Sequence, residues 1–158
     1  MTEAGADFSH AVEAEVAAVR RFVGLLEREQ TILSHGDVDQ LLELLPEKNG
    51  LTAQLTALAI QRSQALAKER LTDDPAGVAA WFAAHPSETS ARAAWSLLLP
   101  IARQAHELNR VNGDLIQLRM RHNAQALEAL LGSNDALGLY GPNGQSTTAS
   151  SHRISDNA

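Results

Sequence analysis

Val12-Glu13-Ala14-Glu15-Val16-Ala17-Ala18-Val19-Arg20-Arg21-Phe22-Val23-Gly24-Leu25-Leu26-Glu27-Arg28-Glu29-Gln30-Thr31-Ile32-Leu33 decides the fold. Val12, Val16, Val19, Val23, Leu26, Gln30 and Leu33 alternate steps of four and three, which on an α-helix keeps one seam against a partner helix. Phe8, Phe22 and Leu25 widen the seam into the broad apolar face of a bundle helix. The spacing predicts a helix over residues 7–34. Gly36 is suited to the left-handed conformation that ends a helix, and Asp37 is placed to cap the next one. Gln40 follows Asp37 at capping-box distance. So short a turn forces an antiparallel helical hairpin.

Outward from that hairpin, Leu44, Leu51, Leu58 and Ala65 repeat every seven residues, flanked by Leu41, Leu55 and Leu66, and predict a second helix over 38–71. Pro46 lies inside it and removes one backbone bond, at ~3 kcal/mol. A kink or break is therefore expected between Glu43 and Glu47. Thr72-Asp73-Asp74-Pro75 reads as a stop and restart, with Asp74 as cap and Pro75 at the first position of a short helix over 75–84. Ser87 opens a third long helix, over 88–132, with a second kink expected at Pro100. Beyond it Ile101, Leu108, Leu115, His122 and Ala129 hold the seven-residue repeat. Asn49-Gly50 and Asn112-Gly113 are hairpin signals when strands flank them, but here the flanks are helical. Gly24, Gly50 and Gly113 fall at one height, where they would let backbones approach closely. The expectation is an all-α fold: an elongated antiparallel helical bundle of three long helices plus one short helix, with coiled-coil-like packing. Residues 1–145 form the domain, and the polar, unpatterned 146–158 reads as a disordered tail.

Composition narrows the function. A chain of 158 residues holds one domain with its own core, and only 4% aromatics point to a core of Leu, Ala and Val. A formal charge of −6 disfavours nucleic acid, whose phosphates need a basic surface. That charge resides in residues 1–50, with ten acids against four bases. No cysteine is present, which removes disulfides, thiolate metal sites and thiol nucleophiles together. No apolar run approaches the ~18 residues that span a bilayer, and Met1–Asp7 lacks the pattern of a signal peptide. The chain reads as cytoplasmic, with no membrane insertion.

No catalytic set emerges. The six histidines are scattered, without the helical spacing of a shared metal. His122, at a seam position, reads as a hydrogen-bonded interior residue. Phosphate loops and nucleophile elbows are missing, and Glu13/Glu15 or Glu27/Glu29 point in different directions on a helix. The expectation is no enzyme, no metal and no cofactor.

Two stretches remain: Asn109-Arg110-Val111-Asn112-Gly113-Asp114-Leu115-Ile116-Gln117-Leu118-Arg119, and Leu139-Tyr140-Gly141-Pro142-Asn143-Gly144-Gln145. Asn109 and Asn112 are helical neighbours beside Leu108, Val111 and Leu115. They form either a polar seam that fixes register inside the bundle or an exposed groove for an amphipathic helix. Leu139 and Tyr140 either fold back onto the bundle or serve as a short docking motif.

Both stretches, and more loosely Leu44-Leu45-Pro46-Glu47-Lys48-Asn49 with Leu51, resemble the FlgN-type flagellar export chaperones, which guard hook–filament junction proteins before secretion. The resemblance covers roughly residues 8–145 and is specific only in the two motifs. It implies holding without ATP of the C-terminal helical tails of hook-associated proteins one and three, and their delivery to the flagellar export gate. Leu108, Val111, Leu115, Ile116 and Leu118 would then touch the client, with Asn109, Asn112 and Arg119 setting its orientation. Leu139 and Tyr140 would meet the export gate. Pro100 departs from a region that is continuous helix in the family. The rival is a structural or sensory helical bundle without a secretion client.

Overall fold

A computed structural model describes residues 3–136, with the backbone alone for Ala4 and residues 133–136. Leu139, Tyr140 and the polar 146–158 segment lie outside the described residues. Four helices and no strand occur among them: α1 (Glu3–His35), α2 (Val38–Lys68), α3 (Pro75–Ala84) and α4 (Thr89–Ala136). Residues up to Leu115 form one compact unit, and Ile116 onward is a second, treated by itself.

The fold is all-α, three long helices plus a short one, with α1 packed against α2 and α4. The seam is sealed as the alternation requires: Val12, Val16, Val19, Val23, Leu26 and Leu33 are buried, with Gln30 half-buried. Leu44, Leu51, Leu58 and Ala65 of α2 are buried opposite. Side-chain pairs give the direction of each helix. Asp7–Lys68 (2.7 Å), Glu15–Arg62, Arg21–Gln54 (3.1 Å) and Arg28–Glu47 (2.9 Å) form an antiparallel ladder between α1 and α2. Burial works against the Arg62 charge, but Glu15 and Asp73 outweigh it and raise its pKa. Helix α4 runs the same way as α1, since Ser9 donates to Glu88 (2.8 Å) near one end and Asn112 reaches Leu26 near the other.

The turns follow local rules. Gly36, at φ 77°, closes α1 by donating to the Ile32 carbonyl (3.0 Å), and the Asp37 side chain accepts from the Gln40 amide (3.2 Å). Helix α2 ends at Lys68, short of the expected Leu71. Arg70 turns left-handed (φ 61°), and the Leu71 amide returns to the Leu66 carbonyl (2.9 Å). This is a Schellman stop, with Leu71 folded onto the core that holds Leu66. Asp74 caps α3 through the Gly77 amide (2.7 Å) and accepts from the Thr72 hydroxyl (2.8 Å), and these two bonds hold its carboxyl below the ordinary 3.8.

The core differs from the ring-poor expectation at one end. Phe8, Trp81 and Phe82 cluster with centroid separations of 4.1, 5.1 and 5.8 Å, joined by Val12, Leu66, Val78 and Ala91. The short α3 thus brings Trp81 and Phe82 to Phe8, where four helices meet. The aliphatic remainder follows along α1 and α4: Val16, Val19, Val23 and Leu26 against Leu98 and Ala105.

Two expectations fail: a break at the prolines, and a close approach at the glycines. Helices α2 and α4 continue unbroken through Pro46 and Pro100. Both prolines are exposed, and the carbonyls left without a helical partner, those of Leu42 and Ser96, belong to exposed residues on the solvent side of their helices. The glycines at one height mark no close approach, because a Cβ at Gly24, Gly50 or Gly113 would meet nothing within 4 Å. The tight place is elsewhere: at Gly77 a Cβ would strike the Thr72 carbonyl oxygen at 1.8 Å.

One polar node ties the three long helices together. Glu29 of α1 is buried and accepts from Lys48 Nζ of α2 at 3.0 and 2.9 Å. Asn112 of α4, with no exposed surface, donates through Nδ2 to Glu29 Oε1 and to the Leu26 carbonyl, both at 2.9 Å. Its Oδ1 has no hydrogen-bond partner. Both Nδ2 contacts are pure acceptors, which fixes the amide orientation.

Two stability tests follow from this packing. Gly77→Ala should cost at least ~3 kcal/mol in urea unfolding, whereas Gly50→Ala, exposed and mid-helix, should add ~0.5–1 kcal/mol. Asn112→Ala should cost ~2–4 kcal/mol, from the cavity and the orphaned carbonyl. Asn112→Asp sets a second carboxylate against Glu29, so the folded state keeps a proton that the unfolded chain releases. Its stability is retained at acidic pH and lost as pH rises through the raised folded pKa. Melting curves showing a larger deficit at about pH 7 than at about pH 5 would bear this out, and the reverse order would refute the node.

Candidate partner-binding face of α4

Within the first unit, α4 carries the candidate residues Leu108, Asn109, Val111, Asn112 and Leu115. On its outer side Glu107 and Asp114 bracket Arg110 at three and four residues, with contacts of 2.6 and 2.9 Å. All three are exposed. The Arg110 guanidinium holds the Glu107 carboxyl below its ordinary value, and Glu107 raises Arg110 in turn. Solvent screens such pairs, so they support the helix only weakly.

Leu108, Val111 and Leu115 are half-buried, and Leu108 packs on the valines of α1. The two carboxamides part company. Asn109 is exposed, while Asn112 is sealed in the node with both amide hydrogens engaged inside the bundle. The structure therefore does not gather the pair on one polar surface.

The stretch from Ile116 is a helix of different character. Ile116 and Arg119 are half-buried, and Leu118 is 43% exposed. Beyond them every described side chain except that of Arg119 is exposed, including His122 and Ala129, which the seven-residue repeat marks as interior. Large apolar residues are among them: Met120 at 66%, Leu127 at 57%, Leu130 at 61% and Leu131 at 56%. At 100° per residue, Ile116, Met120, Leu127, Leu130 and Leu131 fall within one stripe ~100° wide, with Leu118 on the opposite side.

Sequence reasoning missed Met120, Leu127, Leu130 and Leu131. The signal was present, because with Ile116 as i these residues form an i, i+4, i+11, i+14/15 series that is offset from the repeat through His122. The stripe runs beside the exposed repeat of His122 and Ala129. It offers neither nucleophile nor acid–base pair, only contact area for another helix. Among the described residues no group of three or more His, Cys, Asp and Glu is placed to hold a metal ion, and no helix is long and apolar enough to cross a membrane.

No curated protein and no solved structure matches the chain. A protein-family model described as FlgN protein does match, and it spans residues 1–148, including both sequence motifs and every helix described above. The chain belongs to the FlgN family of flagellar export chaperones.

Proposed function

We propose that this protein holds the C-terminal helical tails of hook-associated proteins one and three in the cytoplasm and delivers them to the flagellar export gate. Family membership establishes the chaperone class. The observation that supports the finer reading is the apolar stripe that starts at half-buried Ile116 and continues through exposed Met120, Leu127, Leu130 and Leu131.

A junction-protein tail that is apolar on one face self-associates when left alone. Laid along the stripe as a helix, it buries that face against large aliphatic side chains, each fully covered one being worth ~1.5–3 kcal/mol. Folding on docking costs ~2–5 kcal/mol of the gross interaction, which leaves the complex reversible. A holding chaperone needs that reversibility, since its client has to leave at the gate. Arg119, beside the stripe, sets the orientation of the client. Leu139 and Tyr140 supply the gate contact, separate from the client face.

Two measurements test this division. In calorimetry with a synthetic junction-protein tail, Leu127→Glu and Leu131→Glu should each weaken binding by about tenfold or more while leaving the melting temperature unchanged. Absence of binding by the unaltered chain at tens of micromolar would instead leave a helical bundle without a secretion client. Tyr140→Ala should keep client affinity and impair secretion. Equal loss of both would merge the two sites.

A further inference from the structure

Within the first unit a groove of about 830 Å³ opens between α3 and α4, and none of the node residues lines it. Its walls are apolar: Val19 of α1, Val78 and Phe82 of α3, and Trp95, Leu98 and Leu99 of α4, with Leu99 58% exposed at the rim. The volume lies in the range of sites that enclose a ligand or a set of anchor side chains.

Its polar groups are segregated. Asp74 caps the start of α3, and Asp73 and Glu15 stand near it, all three lining the groove with Arg62. Arg62 is committed, paired with Glu15 and lying 5.6 Å over the Trp95 ring, with Asp73 reached only at 3.4 Å. Three carboxylates against one guanidinium leave this end negative. Arg92 is placed toward the end of α3, donating to the Phe82 carbonyl at 3.1 Å and lying 5.0 Å over its ring. From Asp74 to Phe82 is eight residues of helix, or ~12 Å. The groove is thus two helical turns long, acidic at one end and basic at the other.

The conformation of an occupant follows from the walls. Apart from Asp73 and Asp74 in the α2–α3 connection, the walls are helix, and they offer no strand edge to pair with. An entering segment has to satisfy its own backbone, which makes it a helix. We infer that this groove receives a two-turn amphipathic helix of a second protein, whose apolar face is bordered by Lys or Arg at the end that meets Asp73 and Asp74. A helix entering N-terminus first adds the positive end of its dipole to that match. The inference does not depend on the client reading of the α4 stripe.

The probes are two designed 14-residue amphipathic helices with the same Leu face, one bordered by Lys and one by Glu. Each is titrated into the full chain by calorimetry, with Trp95 fluorescence as a second readout. The Lys-bordered peptide should bind at least about tenfold more tightly at low salt, with the gap narrowing at about 0.5 M salt. Leu99→Glu and Ala79→Glu, both at exposed positions, should abolish that binding, and Leu127→Glu should leave it intact. Equal binding of the two peptides, no binding at about 100 μM, or loss through Leu127→Glu instead of Leu99→Glu would overturn the inference. So would light scattering that shows the chain alone to be a dimer which Leu99→Glu dissociates, since the occupant would then be a second copy.

Discussion

The Glu29 carboxylate is the constraint around which the first unit is arranged. Removed from water, it is tolerated only because Lys48 supplies a charge and Asn112 a further donor. Each of the three groups comes from a different long helix, so only one axial register satisfies them all. Sliding α4 by one turn moves Asn112 about 5.4 Å and leaves both the carboxylate and the Leu26 carbonyl short of a donor. The leucines, valines and alanines around the node are interchangeable between neighbouring registers, and a repeat of similar side chains cannot choose among them. Polar chemistry chooses for them.

The opposite end is fixed by shape. Phe8, Trp81 and Phe82 interlock where α3 crosses the bundle, and α3 is held there by its Asp74 cap and by the tight approach of Gly77 to Thr72. With rings at one end and a charged node at the other, the aliphatic middle has only to fill space. This division leaves two apolar surfaces outside the sealed core, the groove beside α3 and the stripe beyond Leu115.

What could be read in the sequence was whatever obeys local rules. The alternation from Val12 to Leu33, the Gly36-Asp37 turn and the Asp74-Pro75 restart each depend on a few adjacent residues, and each appears in the structure. The prolines break neither helix, because their cost depends on which side faces water. The glycines misled because a small residue licenses a close approach without producing one. The repeat through His122 and Ala129 was extended by periodicity alone, yet burial requires something on the other side of the seam. Asn112 stood open between a register-fixing seam and an exposed groove, and geometry alone could place it in the seam.

The node also imposes an order on synthesis. Glu29 and Lys48 are 19 positions apart, but Asn112 follows Glu29 by 83. At roughly 5–20 residues per second on the ribosome, both members of the ion pair are made several seconds before their amide partner. During that interval the nascent hairpin displays its valine seam and a hydrated carboxylate side by side. Arrival of the last long helix converts a wet surface into an interior.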